Sequence, residues 1–438
     1  MRYLRRTAAL TLMGGCAAFL PVTAAAAAGD GHRAPRTERV SVAADGAQAD
    51  AESAGRISAD GRYAVIESWA TTLVPGGGEK QGHVYVKDLR TGALQRVSVA
   101  SDGRPANGSS GHASISGNGR YVTFHSGATN LDPRQTGWTD VYVHDRATGR
   151  TTLLVEKGQK DRGTSSSPVI SADGRYVAFV SDRDDLVPGD TNEQKDIFVH
   201  DRLRGTTKRV SVAGDGTQAD GFSMDPVISA DGSRVGFRTA ATNLGGTVPS
   251  SGKPRPFWFY VRDLRNGRTE LAAANRDGKA AKVYGGMSLS PDGRHALFPS
   301  YDSGIVAGDT NGQRDVFAKD LRTGVTRRIS LAPNGSQANG SSDAAVMSAD
   351  NRRVFFQSEA TNLVPGDTNG VADVFARDLR TGKVERISTG QGGLQGNASS
   401  GEVSVDHSAR TAVFLSGADN LVPGDTNKTS DVFLRRLK

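Results

Sequence analysis

Short apolar runs and clusters of turn-forming polar residues alternate along this chain with a period near 58 residues. One unit shows the pattern. Val169-Ile170 leads into a turn at Ala172-Asp173-Gly174-Arg175, followed by the apolar run Tyr176-Val177-Ala178-Phe179-Val180. A long loop rich in Asp, Gly, Pro and Asn comes next, then Ile197-Phe198-Val199-His200, another turn and Arg209-Val210-Ser211-Val212. Each run is rich in Val, Ile, Phe and Tyr, bounded by turn residues and too short for an ordinary helix. Asp and Gly supply the local hydrogen bond and the permissive backbone that the turns need. The unit therefore predicts a four-stranded antiparallel meander.

The opening ISADGRY of that unit recurs from Ile57, as ISGNGRY from Ile115, ISADGSR from Ile228, LSPDGRH from Leu289, MSADNRR from Met347 and VDHSART from Val405. Seven copies follow one another at steps of 58, 55, 58, 61, 58 and 58 residues. Seven small sheets in series predict blades set radially about an axis, which leaves only short, protected edges. The chain ends agree with a closed ring. Only 33 residues follow Val405, so the last copy stops after its third run, Val432-Phe433-Leu434. The missing run stands at the other end, where Arg39-Val40-Ser41-Val42 copies Arg209-Val210-Ser211-Val212. The expected fold is an all-β, seven-bladed propeller of four-stranded antiparallel blades, closed by an N-terminal strand joining the last blade.

Composition adds a destination. Arg2, Arg5 and Arg6 precede a mostly apolar stretch, and Ala24, Ala26 and Ala28 offer A-x-A cleavage positions. Residues 1–28 thus read as a signal peptide, residues 29–37 as a flexible lead-in and residues 38–438 as the propeller. The expected location is secreted or associated with the cell envelope. Arg5-Arg6 leaves the general and twin-arginine export routes both open. Cys16, the single cysteine, lies inside the apolar run with no polar sequence after it and reads as an ordinary leader cysteine, so no disulfide is expected. Nothing later approaches the ~20 apolar residues of a membrane-spanning helix. The net charge is +7, and the leader arginines carry three of those charges. The remainder is spread over every blade without a basic run, which gives no footprint for nucleic acid.

The string SADGRYVAFVSDRDD followed by KDIFVHD resembles the repeat of TolB-type and related WD-like bacterial exported propellers. That pattern joins a Pro-or-Ala-Asp-Gly turn, an apolar strand ending in Ser and an acidic residue before an Ile/Val-aromatic strand. The resemblance spans essentially the whole chain after the leader and implies a propeller that holds or docks something. The strings NLVPGDTNG and DLRTG are similar to a subgroup of exported propellers of unknown role. The N-terminal domain of TolB has no counterpart here, nor does an α/β-hydrolase domain.

Two sets of residues are candidates for chemistry. The loop between the second and third runs carries Asp-x-Asn-x-x-x-Asp four times: Asp190, Asn192, Asp196; Asp309, Asn311, Asp315; Asp367, Asn369, Asp373; and Asp425, Asn427, Asp431. Oxygen donors so spaced after Gly189, Gly308, Gly366 and Gly424 are able to surround Ca²⁺. They also serve as plain turn caps. Structural calcium in blades three, five, six and seven is one expectation. Blade one has Gly77-Gly78-Glu79 and His83 instead, blade two keeps only Asp140, and blade four carries an insertion at residues 245–256. In the loops joining one blade to the next, Asp50, Asn107, Asp220 and Asn339 hold equivalent places that would add oxygens to such sites. The second set lines the axial mouth, where the repeat aligns Ala54, His112, Ser167, Asp225, Gly286, Ala344 and Glu402, with Asp343 one residue earlier in its blade. His112, Asp225 and Glu402 are suited to acid–base work or to a solvated channel mouth. His144 and His200 share a repeat position with Lys87, Arg262, Lys319 and Arg377, which marks them as structural.

No G-x-S-x-G elbow, H-E-x-x-H or cysteine–histidine metal spacing occurs. The functional expectation is therefore an exported, non-enzymatic, monomeric scaffold binding a protein or a cell-envelope glycan through its loop face. The alternative is a polysaccharide hydrolase or lyase using His112, Asp225 and Glu402.

Overall fold

A computed structural model describes residues 36–437 apart from 76–79, 136–137, 156–162 and 250–255. The leader with Arg5, Arg6 and Cys16, the first residues of the lead-in, and Gly77, Gly78 and Glu79 lie outside the described residues. The strands form seven four-stranded antiparallel sheets. Six are sequential meanders, and the seventh is made of Ser400–Val405, Thr411–Ser416, Asp431–Arg436 and the chain-start strand Arg36–Arg39. The register of that last pair runs from Arg36 opposite Arg436 to Arg39 opposite Phe433.

Within each blade the second and third strands pair aromatic on aromatic at one fixed level. Phe124 faces Tyr142, Phe179 faces Phe198, Phe237 faces Tyr260, Phe298 faces Phe317, Phe356 faces Phe375 and Phe414 faces Phe433. Blade one places Ile66 opposite Tyr85 instead. Ring centroids in these pairs are about 6 Å apart, for example 5.8 Å for Phe179 and Phe198. Such offset pairs add specific attraction to the burial of two large side chains.

The blades are joined by a repeated hydrogen bond at the loop face. The residue before each third strand offers its carbonyl to the N–H at the head of the next blade: Gly82 to Ser110, Thr139 to Ser165, Lys195 to Ser223, Phe257 to Val283, Arg314 to Ser342, Ala372 to Ser400 and Ser430 to Ser53. The last of these crosses from the final blade to the first. At the opposite face, the tyrosine opening a second strand lies flat on the turn glycine of the next blade. A Cβ on Gly119, Gly174 or Gly232 would sit 2.1–2.5 Å from Tyr63, Tyr121 or Tyr176, so only glycine fits there.

Two expectations shift. The fourth strand of blade three is Thr206–Arg209, not Arg209 to Val212, and the closing strand is likewise Arg36–Arg39. The apolar residues that follow are not strand. Val210 is fully buried, and the N–H of Val212 bonds back to its carbonyl at 2.8 Å, as Val42 does to Val40. This three-residue turn drives one valine into the core while reversing the chain, so burial rather than pairing explains the hydrophobic run. The closing strand thereby starts inside residues 29–37, where Thr37 is buried.

Candidate functional site

The axial mouth is shaped by a bulge in the innermost strand. In blades two, three, four, six and seven that strand has one residue more than its partner, and the register slips between Gly111 and Ser114, Ser166 and Val169, Met224 and Val227, Asp343 and Val346, and Gly401 and Ser404. The extra residue is His112, Ser167, Asp225, Ala344 or Glu402, each left-handed at φ between 48° and 52°. A non-glycine side chain in that region costs roughly 1–2 kcal/mol. Bulges re-aim a side chain out of the sheet, and here His112, Asp225 and Glu402 are exposed. Blade one pairs without a bulge from Ser53–Ser68 to Ile57–Ala64, so Ala54 does not share the geometry its alignment implied. Replacing Ala344 by glycine is expected to raise the unfolding free energy by about 1 kcal/mol in a denaturant titration, because the left-handed cost disappears. A less stable variant would mean that the bulge is not strained.

Asp225 and His112 are each held within their own neighbourhood. Asp225 pairs with Arg238 at 2.5 Å, and that guanidinium lies 4.7 Å from the ring centre of Phe257. Glu67, at the end of the second strand of blade one, accepts the N–H groups of His112 and Ala113, both at 2.7 Å. The His112 ring lies 4.7 Å from that of His125, whose proton affinity is pushed down to about 4 by burial and then by the neighbouring His112. Asp343 accepts from the N–H groups of Gly286 and Ala344 and meets Arg314 at 3.2 Å. His112, Asp225 and Glu402 thus stand on three non-adjacent blades. Among the described residues, no three His, Cys, Asp or Glu side chains are grouped so as to hold a metal ion.

The Asp-x-Asn-x-x-x-Asp loops converge as the spacing predicts, but around a guanidinium. Nη1 of Arg209 lies 2.9 Å from Asp190 and 3.5 Å from Asp196, and donates to Gln218 at 2.6 Å. Arg328 repeats this with Asp309, Asp315 and Gln337. Arg39 does so with Asp425, Asp431 and Gln48, and Arg386 meets Asp367 and Asp373 beside Gln395. The asparagines turn their N–H groups, not their oxygens, inward: Asn192 donates to Asp196, Asn311 to Asp315, Asn369 to Asp373 and Asn427 to Asp431. With a fixed cation at the centre and an amide N–H facing the carboxylate, this donor set does not fit Ca²⁺. Asp50, Asn107, Asp220 and Asn339 serve as turn caps for Thr71, Thr129, Thr242 and Thr361 in the following blade.

The arginine brace was legible in the sequence through covariation between repeats. In blades three, five and six, Arg and Gln stand at fixed offsets after the Asp pair, and in blade seven Arg39 and Gln48 of the chain start take their places. In blade four, Trp258 replaces the second Asp, Leu271 the Arg and Ala280 the Gln. Blade two keeps Asp140 but has Leu153 at the Arg position. In blade one, His83 takes the Asp place near Arg96, and burial followed by that positive charge lowers its pKa to about 4. His144 and His200 bond to Thr151 and Thr207 on the adjoining strand, as expected of structural residues.

The most informative residues were absent from the sequence-based candidates. Trp69, Trp138, Tyr301 and Tyr284 are 51%, 54%, 49% and 40% exposed. All four lie in loops of the same face as the mouth, three between second and third strands and Tyr284 between blades four and five. Their scatter in sequence hid them, since no two are closer than seventeen residues.

The structure is a seven-bladed β-propeller whose loop face carries the bulged innermost strands and four exposed aromatic side chains. No family model and no curated protein matches this chain. Solved structures do. Oligogalacturonate lyase from Vibrio parahaemolyticus is similar over 92% of this chain and 93% of its own, at 12% identity and a TM-score of 0.54. The β-propeller domain of the Trilobed protease from Pyrococcus furiosus is similar over 84% and 89%, at 13% identity and a TM-score of 0.52. A TolB-related protein from Agrobacterium tumefaciens matches over 81% and 98%, at 15% identity and a TM-score of 0.41. Likeness at these identities concerns the fold.

Proposed function

We propose that this chain is an exported, non-enzymatic binding propeller that engages a protein or a cell-envelope glycan through the loop face. The observation that carries the reading is the gathering of every exposed large aromatic side chain among the described residues on that one face, around a mouth lined by strained bulges. Exposed aromatic side chains gathered on one loop-rich face mark an interaction surface. The leader read at residues 1–28 supports export, and no helix among the described residues is long and apolar enough to cross a membrane. The hydrolase or lyase reading asks His112, Asp225 and Glu402 to serve one site. Asp225 is already neutralised by Arg238, and each of the three is held on a separate blade, which favours binding over catalysis.

Co-sedimentation of the full chain with washed bacterial envelope fragments tests this. The combined variant Trp69→Ala, Trp138→Ala, Tyr301→Ala is expected to lose binding about tenfold or more, while its thermal midpoint stays close to that of the native chain because half-exposed side chains contribute little to the core. Undiminished sedimentation of the variant would overturn the loop-face assignment.

A further inference from the structure

Resting on the binding reading above, we infer that the exposed aromatic side chains form a carbohydrate platform and that its ligand is a neutral glycan chain. Tyr284 and Tyr301 meet at 81° with ring centres 5.2 Å apart. Two rings so disposed make a corner, one ring as floor and the other as wall. A pyranose ring has one flat C–H face that packs on an aromatic floor and a rim of hydroxyls that needs planar donors and acceptors beside it. Both are present. Arg314 lies over the Tyr301 ring with its guanidinium 5.7 Å from the ring centre and is ion-paired with Asp343, so a donor and an acceptor stand together beside the corner.

The corner is held in place by the backbone. Asp343 reaches from blade six to the N–H of Gly286, and a Cβ on Gly285 would come within 2.4 Å of its carboxylate. Glycine there lets the segment carrying Tyr284 lie against blade six. Blade one places an exposed aromatic ring at the same position in the unit as Tyr301. Trp69 directly follows the second strand, as Tyr301 does, and packs its indole edge over Gly82, where a Cβ would lie 3.4 Å from Cε2 and Nε1. Gly82 occupies the place of Arg314, so a smaller neighbour accommodates the larger ring.

Charge selects within the carbohydrate class. On the innermost strands and the residues beside them, Glu67, Asp225, Asp343 and Glu402 outnumber Arg56, Arg238 and Arg314, and the last two are already paired with carboxylates. A polyanionic glycan would meet net repulsion at the mouth, whereas a neutral one would not.

The test titrates the full chain with cellohexaose, chitohexaose and, as the anionic comparison, tetragalacturonate, reading tryptophan fluorescence and calorimetric heat. At least one neutral hexasaccharide is expected to bind more tightly than tetragalacturonate. Tyr301→Ala should weaken it about tenfold, and Tyr301→Phe, which keeps the ring, should stay within about twofold of the native chain. Tighter binding of tetragalacturonate, or equal affinity in native and Tyr301→Ala chains, would overturn the inference. If neither hexasaccharide binds while envelope co-sedimentation persists, the glycan assignment fails and the binding reading survives. If both are lost, both fail.

Discussion

Replacing Arg209 by methionine is expected to lower the unfolding free energy by about 3–5 kcal/mol at neutral pH, the usual result of removing one partner from a buried ion pair. Asp196 is fully buried, and Arg209 is the positive charge that faces it and Asp190 together. The other partners of Asp196 are neutral donors, Ser211 and Asn192. Burial already raises the proton affinity of Asp190 and Asp196, and the guanidinium opposes that rise. Carboxyls whose folded pKa is raised hold protons that the unfolded chain releases near pH 4, so their contribution to stability falls as pH rises from there. Without the guanidinium the rise is larger. The deficit of Arg209→Met should therefore be greatest at neutral pH and shrink as pH falls toward 4, which denaturant titrations at pH 4.5 and 7.5 will read. A deficit independent of pH would mean that packing, not charge, is what the arginine supplies. The same brace predicts that excess chelator leaves the thermal midpoint of the native chain unchanged, since the guanidinium already supplies the positive charge these carboxylates face. A fall in midpoint would restore calcium to these loops.

Removing residues 36–42 is expected to cost more than 5 kcal/mol, on the order of a whole domain's margin. Val40 and Thr37 are buried, and the N–H of Val40 bonds to Val432 at 2.7 Å. Arg39 also neutralises Asp425 and Asp431, the latter fully buried. The truncation therefore exposes apolar area, leaves the Asp431–Arg436 strand without its outer neighbour and strands two carboxylates. A peptide of residues 34–46 added in trans should restore part of the lost midpoint by binding the folded ring. An unchanged midpoint in the truncated chain would show that the ring does not depend on the joining of its termini.

Much of this architecture was legible in the chain. The seven copies, the four runs in each and the offset of the termini all followed from periodicity, because every blade solves the same local problem of two strand faces and a tight turn. The axial positions of His112, Asp225 and Glu402 were also legible, since a residue's place in the unit fixes its radius from the axis. Strand limits were not, because the buried turn at Val210 is as apolar as a strand. The expectation of calcium arose for a related reason: carboxylates at alternating positions look the same whether they await a metal or a guanidinium.

Sequence alone determined the number of blades, their strand order and which residues stand at equivalent positions, all consequences of short-range pattern repeated at a fixed step. Only the tertiary structure decided which side chains from separate segments meet. It brought Arg209 from the outer strand to Asp190 and Asp196, turned His112 and Asp225 outward on left-handed bulges, and set Tyr284 against Tyr301 although seventeen residues separate them. Those contacts depend on how strands and loops of one blade fold back on one another, which brings together side chains that lie 13 or more residues apart in the chain.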